Sequence, residues 1–311
     1  MVASLVIIFT LSTVVLAIVL SLLQVFDFIT LGILIVAFNI IQWLISPYII
    51  DALYRAKEMP QSENPKLHEL VKNLSDKSRI KKPRLMLAQI PIPNAFAYGS
   101  PIAGNRVAVT SGLLKTLQYD EVEAVVGHEL GHLKHRDVQI MMFVSLLPAL
   151  FYYIGYSLMI SSTYGRRREE GGGTGLIGII LVAFSMFLTY VCVTSLSRVR
   201  EYYADRHSAS IVEEGPRKLS EGLAKIVHTT RNMRRIKGQA QNLNAFKALF
   251  IADPDRAETD SMVVSTITAS SDQKLVQEIL SQKLTTADRI IEIFSTHPNI
   301  IKRLKALQEL S

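Results

Sequence analysis

Five consecutive residues, HELGH at His128–His132, carry the residue types of a metal site. In a helix, side chains at positions i and i+4 share a face, about 5–6 Å apart at Cβ. His128 and His132 could therefore bind one Zn²⁺ ion, while Glu129 holds the metal-bound water. With seven histidines in the chain, chance would give this pattern in only about 0.01 sequences of this length. The spacing predicts one Zn²⁺ per chain as cofactor.

A catalytic zinc site needs a third protein ligand, and an acidic pair further along the chain is the best candidate. Glu201 stands in the run EYYAD, and Asp205 follows it by one helical turn. Glu201 could complete the site, and Asp205 could accept a hydrogen bond from a ligand histidine. The alternative is that both carboxylates pair, on a solvated helix, with the neighbouring Arg198, Arg200 and Arg206. Spacing alone leaves both interpretations open.

Four long stretches without Asp, Glu, Lys or Arg form the framework for these residues. They are Met1–Phe26, Phe28–Ile50, Val138–Gly165 and Gly171–Ser197. Each is long enough to cross a bilayer core of about 30 Å, which takes about 20 apolar residues in a helix. The chain is 49% hydrophobic and only 20% charged, and Cys192 is its one cysteine. These features exclude disordered, collagen-like and disulfide-framework proteins and predict an integral membrane protein.

The four stretches form two predicted helical hairpins. A cleaved signal peptide is the alternative for the first stretch, but no basic segment precedes it and no small-residue cleavage site precedes Asp27. The helix of His132 runs into the third stretch, and the helix of Glu201 emerges from the fourth. His132 precedes the third stretch by about six residues, or about 9 Å of helix. The zinc ion is therefore expected close above the membrane surface.

Lysines and arginines near the ends of these stretches predict the orientation. Seven lie on one face (Arg55, Lys57, Lys134, Arg136, Arg198, Arg200 and Arg206) and three on the other (Arg166, Arg167 and Arg168). The polar parts and both termini are therefore expected in the cytoplasm. The net charge of +7 suits an anionic inner leaflet. Nucleic acid is not an expected partner, because the local basic cluster at 231–237 lacks aromatic residues for stacking.

The polar sequence forms two blocks, Asp51–Asp137 and Arg198–Ser311. In the first block, a helix is predicted after Pro65, and Asp120 is the predicted N-cap of the helix that carries the histidines, with Glu123 in the capping-box position. Three strands are predicted between these helices, at Arg84–Ile90, Asn94–Gly99 and Arg106–Thr110. The fold class is a mainly α integral membrane protein: four hydrophobic helices plus a cytosolic α+β zincin-like domain with a small antiparallel sheet.

Four motifs together resemble those of the HtpX family of membrane metalloproteases. They are GHELGH at Gly127–His132, NAFAYG at Asn94–Gly99, EYYAD at Glu201–Asp205 and FSTHP at Phe294–Pro298. The chain also resembles, more distantly, the CAAX prenyl endopeptidases. The resemblance implies a gluzincin-type endopeptidase of the cell membrane that cuts misfolded or damaged membrane proteins in quality control. It also implies that Glu201 is the third zinc ligand.

The resemblance also suggests roles for residues outside the zinc ligands. Glu129 would act as the general base. His297 or Arg303, in a terminal His-Pro-x4-Arg pattern, could stabilise the tetrahedral intermediate. The alternative is that His297 is an ordinary loop or helix-cap residue and Arg303 a surface charge. An exposed edge strand containing Asn94, Ala95, Phe96 and Ala97 would pair with the substrate main chain. The alternative there is an ordinary sheet strand.

Two other functions remain open on the sequence. One is a prenyl-protein processing peptidase, and the other is a non-catalytic membrane scaffold with structural zinc. On the leading hypothesis the partners are polypeptides and the lipid bilayer. The predicted domains are a transmembrane hairpin (1–50), a first protease part with the HExxH helix (51–137), a second hydrophobic hairpin (138–197) and a second protease part with the third ligand (198–311).

Overall fold

The computed structural model describes residues 19, 28–141, 144, 151, 154–159, 171–237, 272–282, 284–286, 288, 292 and 295–310. In chain order its elements are α1 (Phe28–Tyr54), β1 (Ala56–Glu58), α2 (Pro65–Ser78), β2 (Arg84–Ala88), β3 (Ala95–Ser100), β4 (Gly104–Thr110), α3 (Ser111–Thr116), α4 (Tyr119–Lys134), α5 (Gly171–Ile211), α6 (Gly215–Lys237), α7 (Asp272–Ser281) and α8 (Ile300–Gln308). The chain forms two compact units, residues 1–43 with 139–196 and residues 44–138 with 197–311. The second is called the polar unit below.

Helix α1 contains the second predicted apolar stretch. Within the described residues, its segment Gly32–Tyr54 is the one helix long and apolar enough to cross a membrane. The fourth predicted stretch lies within α5, where the apolar helical segment Gly175–Ser185 is shorter than a span. The first stretch, apart from Val19, and most of the third lie outside the described residues. Four spans therefore remain a prediction.

The sheet has four strands in the order β1-β2-β4-β3. Strands β3 and β4 form an antiparallel hairpin, and β1 pairs antiparallel with β2, but β2 and β4 are parallel. The predicted purely antiparallel sheet is therefore wrong. The connection through Pro91 and Pro93 carries β3 past the position beside β2, and β4 returns into that position. The sequence pattern contains the strands but not this crossover, and it missed the short strand β1.

Alternating side chains of the strands point to opposite faces of the sheet, and each face has its own core. On one face, Leu85, Val107 and Val109 pack with buried side chains of the helices of the polar unit. On the other face, Met86, Ala108, Phe96 and Tyr98 pack with Tyr54, near the end of α1. The last turns of α1 thus cover one face of the sheet.

Two helix starts test the predicted capping residues. Helix α2 begins after Asn64, whose Oδ1 accepts a hydrogen bond from Leu67 N (3.1 Å), so the helix predicted after Pro65 is confirmed. Helix α4 begins after Gln118, whose backbone N–H donates to Glu121 Oε2 (2.7 Å). The prediction of Asp120 as N-cap with Glu123 is wrong by two residues, because glutamine is a less usual cap than aspartate.

Candidate metal centre

Helices α4 and α5 approach each other closely at the two glycines of GHELGH. A Cβ at Gly131 would lie 2.9 Å from Ala204 Cα, and one at Gly127 would lie 3.0 Å from Ser208 Oγ. Ser208 Oγ donates to the Ala124 carbonyl across the same contact (2.6 Å). A side chain at Gly131 would press on the α5 backbone and push the helices apart, and one at Gly127 would displace the side chains of Ser208 and Val212. The glycines therefore allow residues of both helices to meet in one site.

Three potential ligands meet at this contact. The ring nitrogens of His128 and His132 and a carboxylate oxygen of Glu201 all lie within 4.8 Å of one another. His128 Nε2 lies 3.6 Å from Glu201 Oε2, and His132 Nε2 lies 3.7 Å from Glu201 Oε1. His128 and Glu201 are buried, whereas His132 is partly exposed. The helical spacing and the Glu201 motif predicted this convergence.

The outer nitrogen of each histidine faces a buried carboxylate. His128 Nδ1 lies 2.8 Å from Asp205 Oδ1, and His132 Nδ1 lies 2.6 Å from Asp137 Oδ2. A proton on each Nδ1 leaves Nε2 as a lone-pair donor. The two Nε2 atoms are only 3.1 Å apart and face the Glu201 carboxylate. Two imidazole lone pairs and a carboxylate facing each other fit a bound Zn²⁺ ion.

Glu201 and Asp205 do not lie on a solvated helix surface. They are 6% and 2% exposed, so the alternative of pairing with nearby arginines in solvent is wrong. Arg303, itself 1% exposed, donates from Nε and Nη2 to the two Asp205 oxygens (2.9 and 2.6 Å), and its Nη1 lies 3.1 Å from Glu201 Oε2. Arg303 is therefore a buried ion-pair partner and not a surface charge.

His297 also reaches the metal centre. Its Nδ1 lies 3.2 Å from Glu201 Oε1, and its side chain is 17% exposed. Arg198, expected in the alternative interpretation to pair with a carboxylate, donates instead to the carbonyls of Glu292 and Ser295 (2.7 and 2.9 Å). The segment before His297 is thereby tied to α5. Phe294, in the same FSTHP motif, lies outside the described residues.

Comparisons with known proteins agree with this site. The model of peptidase family M48 matches residues 61–311. The chain belongs to peptidase family M48. It is 38% identical to the protein named Protease HtpX homolog from Thermoplasma acidophilum, over 88% of this chain and 82% of that protein. The relative of the same name from Aeropyrum pernix is also 38% identical, over 90% and 86% of the two chains.

A solved structure supports the fold of this M48 peptidase. The crystal structure of S. mikatae Ste24p matches with a TM-score of 0.58 and 15% sequence identity, over 94% of this chain. The match spans 60% of the Ste24p chain. At this identity the likeness concerns the fold alone. Family membership and the two histidines with Glu201 together confirm the predicted zinc metallopeptidase of the gluzincin type.

The site's electrostatics suit a cationic metal. Burial raises the pKa of Glu201, but the neighbouring His297 and Arg303 outweigh it and hold that pKa well below its usual range. Burial lowers the pKa of His128, but Asp205 and Glu201 outweigh it and raise the pKa to about 10. Glu201 is therefore an anion at neutral pH, and protons compete with metal for His128.

Glu129 lies between the metal centre and the sheet. It is 3% exposed, and burial raises its pKa against the lowering influence of His132 and His128. The Ala97 backbone N–H donates to its carboxylate, so strand β3 of the M48 peptidase contacts this acid directly. A carboxylate with a raised pKa is suited to accept a proton near neutral pH.

Sequence reasoning missed Asp137, the partner of His132. Helix α4 ends at Lys134, and Arg136 has a positive φ of 54°, which turns the chain so that Asp137 points back to the helix end. Arg200 Nη2 contacts Asp137 Oδ2 (3.0 Å) from α5. An acidic residue five positions after a ligand histidine was a visible signal, but its use depends on the left-handed turn.

Strand β3 lies at the edge of the sheet, with the predicted substrate-binding residues at its beginning. Asn94 is buried, and its backbone N–H donates to Thr110 Oγ1 (2.9 Å). The Phe96 ring packs on Tyr54, with centroids 4.9 Å apart. Ala95 and Ala97 pack on the opposite face, toward the helices. The four residues thus occupy different environments: Asn94, Ala95 and Phe96 are buried, and Ala97 is partly exposed.

Proposed function

We propose that this M48 peptidase is a membrane-embedded endopeptidase that cuts misfolded or damaged membrane proteins on the cytoplasmic side of the cell membrane. The observation that carries the proposal is the meeting of His128, His132 and Glu201 within 4.8 Å, with the buried Glu129 beside them. A structural zinc site would not need that acid. The apolar helix segment Gly32–Tyr54 supports a membrane location. Four spans with both termini in the cytoplasm complete the proposal.

The ligands would be His128, His132 and Glu201, holding one Zn²⁺ per chain. When bound, zinc supplies a water of lowered pKa and polarises the scissile carbonyl. Asp205 and Asp137 hold the two imidazoles with Nε2 toward the ion. Edge strand β3, whose Ala97 is partly exposed, would bind the substrate main chain, which accounts for broad sequence tolerance.

Glu129 would accept the proton of the attacking water and deliver it to the departing amine. His297 is the better candidate to stabilise the negative charge that develops on the carbonyl oxygen, because its side chain is partly exposed. Arg303 is committed to Asp205 and Glu201. Its role would be to position those two carboxylates.

The test is cleavage of an unfolded membrane protein by the purified, zinc-loaded full chain in detergent. Glu129→Gln, with matched zinc content, is the control. We expect cleavage by the wild type and a loss of at least about 100-fold in the variant, because general-base catalysis contributes 10²–10⁴-fold. Equal cleavage by both would overturn the role of Glu129.

Two results would change the assignment of substrate or class. Preferred cleavage of a prenylated CAAX peptide over unfolded protein would indicate a prenyl-protein processing peptidase, which the Ste24p-like fold makes the second candidate. Bound zinc without cleavage of either substrate would indicate the scaffold. Protease protection of tagged termini in sealed vesicles would test the proposed orientation.

A further inference from the structure

Helix α5 carries Arg198 about one turn before Glu201, and both side chains contact the segment around His297. Residues three positions apart lie on the same face of a helix. Glu201 Oε1 lies 3.2 Å from His297 Nδ1. Arg198 Nη1 donates to the carbonyls of Glu292 (2.7 Å) and Ser295 (2.9 Å). One face of α5 therefore contacts both the side chain of His297 and the backbone that precedes it.

The two hydrogen bonds from Arg198 close the backbone into a turn. A guanidinium is always protonated in proteins, so both bonds are charge-assisted and stronger than bonds between neutral groups. One nitrogen brings together two carbonyls that are three residues apart in the chain. The turn ends two residues before His297, which places that residue at a fixed distance from α5.

The hydroxyl of Ser295 extends this constraint to His297 itself. Ser295 is 5% exposed. Its Oγ accepts a hydrogen bond from the His297 N–H (3.2 Å) and donates one to the His297 carbonyl (2.9 Å). Arg198 thus holds the carbonyl of Ser295, and the hydroxyl of Ser295 holds both backbone groups of His297.

The side chain of Glu292 closes the other end of this segment. Its Oε1 accepts a hydrogen bond from the Asn299 N–H (3.2 Å), and its Oε2 pairs with Lys302 Nζ (2.5 Å). Residue 292 and residues 295–299 are called the His297 loop below. The loop is held to α5 at one end and to the start of α8 at the other, with the His297 ring between them at the metal centre.

We propose that Arg198 is a positioning residue for peptide cleavage: it holds the His297 loop so that the His297 imidazole lies beside Glu201 at the metal centre. The inference rests on the proposed function, in which His297 stabilises the charge that develops on the carbonyl oxygen. Arg198 acts on that charge only through His297. Because a misplacement of about 1 Å can cost about 100-fold in rate, the hold on the loop matters for the reaction.

The first test compares Arg198→Met with the wild type, both as zinc-loaded full chains in detergent, on an internally quenched peptide that the wild type cuts. We expect kcat to fall at least about tenfold and KM to change less than about twofold, because the interaction with His297 is made only in the transition state. Zinc content should remain one ion per chain. Arg206→Met, which removes an exposed arginine of the same helix, is the matched control and should leave kcat and KM unchanged.

A double-mutant cycle separates positioning of His297 from general support of the fold. In the His297→Ala background, Arg198→Met should reduce kcat by less than a further factor of about two, because the group that it positions is already absent. Arg198→Lys keeps a charged donor for the carbonyls and should recover at least about threefold of the lost activity. If Arg198→Met does not fold, Ser295→Ala tests the same contacts: its loss of kcat should also disappear in the His297→Ala background.

Exchange of the imidazole C2 hydrogen with deuterium reports the placement of His297 without catalysis. Mass spectrometry measures this exchange for each histidine in chelator-treated protein. The His297 side chain is 17% exposed in the wild type. In Arg198→Met it should exchange at least about threefold faster, because the released loop exposes the ring. His68, on α2, is the internal control and should exchange at the same rate in both proteins.

The outcomes distinguish the two proposals. An unchanged kcat in Arg198→Met, losses that multiply in the double variant, or equal C2 exchange at His297 would each overturn the positioning role and leave the endopeptidase proposal intact. Absence of cleavage of every substrate by the zinc-loaded wild type would overturn the proposed function and the positioning role with it.

Discussion

Among the described residues of the polar unit, two places bring three metal-type ligands within 4.8 Å of one another: the metal centre, and an acidic group of Glu121, Glu221 and Asp272. The two groups differ in whether a cationic side chain of the protein lies between the ligand atoms. In the acidic group, Lys225 Nζ lies 2.8 Å from Glu121 Oε1 and 2.9 Å from Asp272 Oδ2. In the metal centre, the histidine Nε2 atoms are 3.1 Å apart, which leaves no room for a cationic side chain between them.

Ligand type and proximity therefore do not by themselves define a metal site. In the acidic group the protein supplies its own cation, so the carboxylate charge is already neutralised. In the metal centre the arginines contact the carboxylates, and the two imidazole lone pairs still face each other. Zinc binding is therefore expected at the histidines and not at the acidic group. Four measurements test whether the two groups differ in this way.

The largest expected effect is loss of zinc from the metal centre alone. His128→Ala removes a ligand that no other side chain can replace, so zinc affinity should fall by more than about 100-fold. Glu221→Gln, in the acidic group, should retain the wild-type zinc content of one ion per chain. Metal analysis after dialysis measures both. A loss of zinc in Glu221→Gln would contradict the comparison.

The next effect concerns the residues that orient the histidines. Asp137→Asn should weaken zinc binding about 10–100-fold, because His132 Nδ1 loses its anionic partner. Asp205→Asn should do the same for His128. Titration with a competing chelator measures both affinities, and circular dichroism checks that the variants are folded. Zinc affinity unchanged in both variants would show that the Nδ1 contacts do not hold the rings.

A smaller effect is expected from removing the internal cation. Lys225→Met leaves Glu121 and Asp272 without their shared partner. Since Asp272 is partly exposed (38% for its side chain), the cost should be about 1–2 kcal/mol in the free energy of unfolding. Millimolar Ca²⁺ should restore part of this stability in the variant, because it replaces the lysine, and should not stabilise the wild type. Thermal unfolding with and without Ca²⁺ measures both.

The smallest effect is a pH dependence in the metal centre. Burial raises the pKa of Asp205, but Arg303 and His128 outweigh it and the pKa lies below its ordinary value. Its contribution to stability is therefore present above the unfolded-state pKa of about 3.9 and is lost as the pH falls through the lower folded-state pKa.

Urea unfolding of chelator-treated protein between pH 3 and 6 tests this dependence. The wild type should lose stability toward acid faster than Asp205→Asn, by at most about 1.4 kcal/mol per pH unit for one proton. Chelation of both samples removes the separate effect of acid on zinc binding. Parallel pH profiles would contradict the shifted pKa.

Local spacing explains which parts of the molecule the sequence predicted. His128 and His132 share a helix face, and helix α2 follows from Pro65 and its apolar repeat, so both predictions depend on neighbours within a few residues. The sheet order and the burial of Arg303 depend on contacts between distant segments; Arg303 lies 98 positions from its partner Asp205. A single sequence carries no signal for such pairs, and the antiparallel sheet was wrong for that reason.

Gly131 shows how a residue without functional groups can control a chemical property. Glycine has only a hydrogen where other residues carry Cβ. A Cβ at this position would lie 2.9 Å from Ala204 Cα and press on the backbone of α5. Gly131→Ala would therefore widen the gap between the two helices that carry the ligands. Such a variant could keep its fold and every ligand and still bind zinc poorly. The distance between the two helices decides which residues position 131 tolerates. A survey of reactive side chains alone would overlook this position.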